Sequence, residues 1–151
     1  MPAPRCCQRW VRQAYPGCHY QVRHSKCRTG SSGERQIEGL IFRGCNRINL
    51  KDYEGAVTDF DNAIKIDPKN VIAYMNRGTA RGAQKKYRSA LEDLDMAAKL
   101  KFDYSAVYIN RALVRYVSGD KKGACKDLEK ADNLNDAKAG SLIDQYCRDM
   151  K

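Results

Sequence analysis

Histidine is scarce in this chain. There are only two, His19 and His24, and both lie near the N-terminus. Cysteines and serines beyond residue 36 therefore have no imidazole in their own segment to serve as general base, which argues against nucleophilic catalysis. A glycine-rich phosphate loop is missing, and residues 37–151 hold no paired metal-ligand motif. No run approaches the roughly 20 apolar residues needed to span a bilayer. The uninterrupted apolar core of a secretory signal is lacking too, because Arg5, Arg9, Arg12 and Arg23 break up the N-terminus. The expectation is a cytoplasmic chain without a membrane span, with export to the periplasm as the alternative. An enzyme, a cofactor and a resident metal are not expected.

What is present is an ordinary globular balance, 42% hydrophobic and 30% charged over 151 residues. The net charge of +10 is unevenly placed. Residues 1–36 carry seven Arg and Lys against one acid, Glu34, a net of +6, while the other 115 residues carry 21 bases and 17 acids, a net of +4. The basicity thus belongs mostly to the tail and not to the face of a folded domain, which argues against nucleic acid as the partner of the folded part.

Residues 1–36 show neither helical nor strand periodicity, and Thr29-Gly30-Ser31-Ser32-Gly33 has the composition of a flexible linker. Residues 1–34 are expected to be disordered or weakly structured. Three other readings apply to this tail. Cys6 or Cys7 with Cys18, His24 and Cys27 offers four zinc ligands at loose spacing. Arginines interleaved with Trp10, Tyr15 and Tyr20 suit nucleic-acid contact. The abrupt change of composition near residue 36 also suits a stretch upstream of the functional protein.

Beyond the tail, the chain repeats itself every 34 residues. Ala56, Ala90 and Ala124 share one column, and Ala63, Ala97 and Ala131 another. Phe60, Leu94 and Leu128 fall between them, and Ile66, Leu100 and Leu134 follow. Gly44, Gly78 and Ala112 form a small-residue column upstream. Alanines seven apart with a large apolar residue between them present one flat helix face, and the upstream glycines present a second. Two helices can then approach closely, with the large residues interlocking around the contact. The pattern predicts helical hairpins at 37–49 and 53–66, 71–84 and 87–100, and 105–117 and 121–134. A capping helix over 137–149 would have an apolar stripe of Leu142, Ile143 and Tyr146. The repeats run 37–70, 71–104 and 105–138, with the cap in 139–151.

Arg43, Arg77 and Arg111 also recur at this period, as do Arg47, Arg81 and Arg115. Each pair is four apart and shares a helix face. An arginine ladder for an anionic ligand is one reading. The favoured reading is internal pairing, because Asp59, Asp93 and Asp127 recur in step on the second helix of each hairpin.

The run Lys51-Asp52-Tyr53-Glu54-Gly55-Ala56, continuing through Phe60, Ala63 and Ile64 to Asp67-Pro68, resembles the tetratricopeptide repeat family. So does Asn76-Arg77-Gly78, echoed as Asn110-Arg111-Ala112. The resemblance covers residues 37–138. It implies an all-α fold, a right-handed superhelix of three antiparallel hairpins plus a capping helix. It implies binding of a protein or peptide in a concave groove lined by the first helix of each hairpin. The groove residues would be Ile41, Cys45 and Ile48, then Ile72, Met75 and Thr79, then Ile109, Leu113 and Tyr116, flanked by Glu38, Asn49, Gly82, Ala83, Ala106 and Val117. This mostly apolar set suits a hydrophobic peptide or the apolar face of a helix. Occupation of the groove by the chain's own tail or by a second copy is one alternative, and a homo-oligomeric structural module stacking through its apolar ends is another. Some family members clamp a peptide C-terminal carboxylate with lysine or arginine and asparagine at five positions. Ile41, Cys45, Asn76, Ala106 and Asn110 stand there, and only Asn76 fits. Lastly, Cys125 on the final hairpin and Cys147 on the cap are a candidate disulfide. Similar bacterial repeat proteins with cysteines so placed are often exported.

Overall fold

A computed structural model describes residues 31–148. The zinc and nucleic-acid readings of the tail lie outside the described residues. Among those described, the elements are helices α1 Ser32–Asn49, α2 Tyr53–Ile66, α3 Val71–Ala83, α4 Tyr87–Leu100, α5 Ser105–Ser118, α6 Lys121–Asn133 and α7 Ala139–Tyr146, with no strand. From α2 to α6 the helices begin and end within one residue of the expected spans. The two ends of the array differ more.

α1 starts at Ser32, five residues before the expected start. The Ser31 hydroxyl accepts from the Glu34 N–H at 3.2 Å, and the Glu34 carboxylate accepts from the Ser31 N–H at 2.9 Å. This capping box satisfies two backbone donors that would otherwise need water. Composition alone marks Ser31-Ser32-Gly33 as linker, but a serine followed three residues later by glutamate is a helix start. At the other end α7 spans only Ala139–Tyr146, shorter than the expected 137–149.

The hairpin turns repeat as the helices do. Lys51, Lys85 and Gly119 stand 34 apart, with φ of 62°, 62° and 100°. Each closes its helix through a pair of bonds. Lys51 N–H reaches the Ile48 carbonyl at 2.9 Å and Asp52 N–H the Arg47 carbonyl at 2.8 Å, and Lys85 and Lys86 repeat the arrangement at 2.9 Å each. This is the left-handed helix stop that glycine adopts without strain. Asp52 and Asp120 then cap α2 and α6 by accepting from Gly55 N–H at 3.0 Å and Gly123 N–H at 2.9 Å. Lys86 makes no such side-chain cap for α4.

Each hairpin closes where the repeat pattern places the small residues. Ala56, Ala63, Ala90, Ala97 and Ala131 have no exposed surface, and Phe60, Leu94 and Leu128 fill the space between helices. A Cβ at Gly44 would lie 2.7 Å from the Phe60 ring, and one at Gly78 would lie 2.8 Å from Leu94 Cγ and 3.0 Å from the Ala90 carbonyl oxygen. Burying each of these large side chains contributes about 1.5–3 kcal/mol. Successive hairpins join through small and branched residues on the first helices. Ala73 and Ala80 seal α3 against the first hairpin, and Val107 and Val114 seal α5 against the second. α1 touches α3 and α3 touches α5, whereas α2, α4 and α6 make no comparable contact with one another. The first helices thus pack closest to one another along one side of the stack, the side expected to be its inner face.

Candidate peptide-binding groove

The expected groove residues divide by burial. Met75 has no exposed surface, and Ile41, Cys45 and Ile109 are buried with it in the core. They hold the hairpins together and offer a ligand almost nothing. Ala106 is buried as well. Ile48, Ile72, Thr79 and Tyr116 are half-buried, and Glu38 and Gly82 are too. Leu113 is 38% exposed and Val117 61%. Among the expected groove residues, the most accessible apolar ones are thus on α5, where Leu113, Tyr116 and Val117 lie within one and a half turns of helix.

Two asparagines on this side are enclosed. Asn76 is fully buried, and its Nδ2 donates to Cys45 Sγ at 3.6 Å. Asn76 Oδ1 and Asn110 Nδ2 are buried without a hydrogen-bond partner among the described residues. Of the five positions that would clamp a carboxylate, Ile41, Cys45 and Ala106 present no cation, so no positive charge converges there.

The arginines point elsewhere. Arg77 Nε and Nη2 donate to the Asp93 carboxylate at 3.0 and 2.6 Å, and Arg81 Nη1 reaches the same carboxylate at 2.9 Å. Arg111 and Arg115 meet Asp127 in the same way, at 2.9, 2.6 and 2.9 Å. Arg43 and Arg47 do so at Asp59. The internal pairing expected from the columns is thus what the hairpins contain. The ring faces of Tyr74 and Tyr108 support Arg77 and Arg111, each with the guanidinium carbon 5.3 Å from the centroid.

A further set of bonds joins one hairpin to the next. Arg77 Nη1 donates to Asp61 of the preceding hairpin at 2.5 Å, and Arg111 Nη1 to Asp95 at 2.7 Å. One guanidinium thus ties two hairpins, bidentate to its own and single to its neighbour. Asp61 and Asp95 also stand 34 apart, so the signal was present in the sequence. Arg43 follows no earlier hairpin among the described residues, and its side chain is 58% exposed against 14% and 15% for Arg77 and Arg111. Hydrogen bonding to Asp127, against the opposing effect of burial, raises the Arg111 pKa above its ordinary value.

At the end of the array, Cys125 on α6 and Cys147 after α7 are joined by a disulfide, S–S 2.00 Å, with both residues buried. Tyr146, adjacent to Cys147, lies against Tyr116 with ring centroids 4.6 Å apart. Among the described residues no group of three or more His, Cys, Asp or Glu is placed to hold a metal ion. No helix there is long and apolar enough to cross a membrane.

Comparison with known proteins agrees with this geometry. Residues 48–85 match the family model described as TPR repeat. No curated protein sequence matches the chain significantly. Many solved structures share the fold. The Sgt2 TPR domain from Aspergillus fumigatus superposes with a TM-score of 0.71 at 24% identity, over 76% of this chain and 79% of that one. The first TPR of Spaghetti (RPAP3), bound to the HSP90 peptide SRMEEVD, gives 0.70 at 23% identity over 77% and 94%. The second TPR domain of human RPAP3, in complex with the HSP70 peptide SGPTIEEVD, gives 0.68 at 24% identity over 76% and 98%. With its 34-residue hairpins, their glycine and alanine contacts and a family-model match over residues 48–85, this chain has the fold of the tetratricopeptide repeat domains it resembles.

Proposed function

We propose that this chain is a protein-interaction module whose inner face, at its α5 end, receives an apolar peptide segment or the apolar face of a partner helix. The observation that carries this reading is the pair Leu113 and Val117, one helical turn apart on α5, apolar and accessible at 38% and 61% exposure, with half-buried Tyr116 beside them. Solved domains of the same fold bound to HSP90 and HSP70 peptides support the general mode, a short peptide on a helical array. They do not supply the ligand. Those peptides end in acidic residues, and the inner face here has Ile41, Cys45 and Ala106 where a cationic clamp would stand.

The test is selection from a random peptide display library on the full-length protein. Enriched sequences should be apolar and should lose binding to Leu113→Glu and Val117→Glu variants whose circular dichroism is unchanged. Enrichment of acidic C-terminal peptides would overturn the reading, as would selected peptides that bind both variants as well as the parent. Met75→Glu is unsuitable, because a charge at a fully buried position disrupts the fold itself.

A further inference from the structure

The groove's last position is covered by the chain itself. Tyr116 carries the tyrosine pair with Tyr146, and Tyr146 immediately precedes Cys147 of the disulfide. The covering follows from the repeat register. Gly82, 34 residues before Tyr116, faces the next hairpin, since a Cβ there would lie 3.0 Å from Val114 Cγ2 on α5. In the last repeat no further hairpin follows among the described residues. α7 takes that place, with Tyr146 against Tyr116 and with Leu142 and Ile143 against the exposed end of the α5–α6 core.

α7 is poorly equipped to stay there unaided. It has 8 residues and no side-chain N-cap bond, and Ala139 is its only fully buried member. A helix that short has little intrinsic stability in water. Its only ion pair among the described residues, Arg148 to Asp144 at 3.6 Å, is exposed on both sides and internal to the segment. The covalent link to Cys125, 22 residues earlier, holds its far end.

We infer that the Cys125–Cys147 disulfide is a redox latch on α7, and that its reduction uncovers Tyr116 and the end face of the array. This rests on the inner-face reading above. The chemistry is thiol–disulfide exchange with a dithiol reductant. A reductant thiolate attacks one sulfur of the pair, the S–S bond breaks, and the other cysteine leaves as a thiolate that takes up a proton. The second reductant thiol then resolves the mixed disulfide. Two cysteine thiols result, and the reductant is oxidised to its own disulfide. With the link gone, the loop-closure constraint on α7 is lost, and its opening becomes more frequent by on the order of a hundredfold.

The experiment is hydrogen exchange of the full chain, with and without dithiothreitol, alongside a Cys125→Ser/Cys147→Ser double variant. Tyrosine nitration mapped by mass spectrometry reports on Tyr116. None of these readouts requires a bound peptide, so they fail or succeed independently of the groove reading. The expected result is faster exchange in 139–147 and faster nitration of Tyr116 on reduction and in the variant, while α2, α3 and α4 keep their protection. The latch is overturned if α7 and Tyr116 stay protected after reduction. It is equally overturned if all helices lose protection together, because the disulfide would then be a staple for the whole array.

Discussion

Replacing Asp93 with alanine removes the carboxylate on which the middle hairpin is pinned. Its side chain is only 5% exposed and accepts three bonds, from Arg77 Nε at 3.0 Å, Arg77 Nη2 at 2.6 Å and Arg81 Nη1 at 2.9 Å. After the substitution Arg77, itself 14% exposed, keeps only Asp61, and Arg81 loses its carboxylate altogether. An exposed ion pair would be worth under about 1 kcal/mol. Here the charge left behind is enclosed between two hairpins, so the relevant effect is the stranding of a buried partner, about 3 kcal/mol. Urea unfolding followed by circular dichroism should show a lower midpoint with an unchanged m-value. Asp127→Ala should behave alike, because Arg111 is equally enclosed. Asp59→Ala should be milder, since the exposed Arg43 can turn to water. A loss under about 0.5 kcal/mol for Asp93→Ala would refute the strut assignment and return the arginines to the solvent as a possible ligand ladder.

Other expectations are as direct. Lys85→Gly relieves a φ of 62° and should stabilise the chain by about 0.5–1 kcal/mol in the same assay. Gly119→Ala, at φ 100°, should destabilise it by a similar amount. Gly44→Ala should destabilise by about 1–3 kcal/mol although alanine favours helix, because its Cβ would meet the Phe60 ring; an unchanged melting temperature would show that the ring moves freely. Burial raises the Tyr104 phenol above its ordinary value near 10. The folded state thus keeps a proton that the unfolded chain gives up, so this contribution is intact below pH 10 and falls as pH rises through the folded value. Alkaline absorbance titration of Tyr104→Phe against the parent should remove a late-ionising phenol, and loss of an early one would contradict the burial.

Much of this architecture was legible in the sequence because a stacked repeat is nearly one-dimensional. Each hairpin meets only its neighbours, so one spacing fixes helices, turns and small-residue contacts together. The 34-residue columns named the interhelical glycines, the alanines and the arginine–aspartate pairs within each hairpin, and all are found where that register puts them. The N-terminal boundary is not legible in the repeat for a local reason. Ser31 and Ser32 have the composition of a linker, and only the reciprocal bond with Glu34 makes them a helix start. The roles of Asp61 and Asp95 are not legible in their column, because a column shows recurrence without showing which neighbour a long side chain reaches.

The inner face shows where the sequence stops deciding. Position in the repeat assigns Ile41, Met75 and Ile109 to the same side of their helices as Leu113 and Tyr116. Whether such a side chain meets solvent or core depends on how far the next hairpin leans over it. That lean is set by the volumes of Ala73, Ala80, Val107 and Val114 packed between hairpins, a three-dimensional sum that no single position carries. The same holds for Tyr116. Periodicity places it on the groove, and only the docking of α7 shows that Tyr146 lies over it.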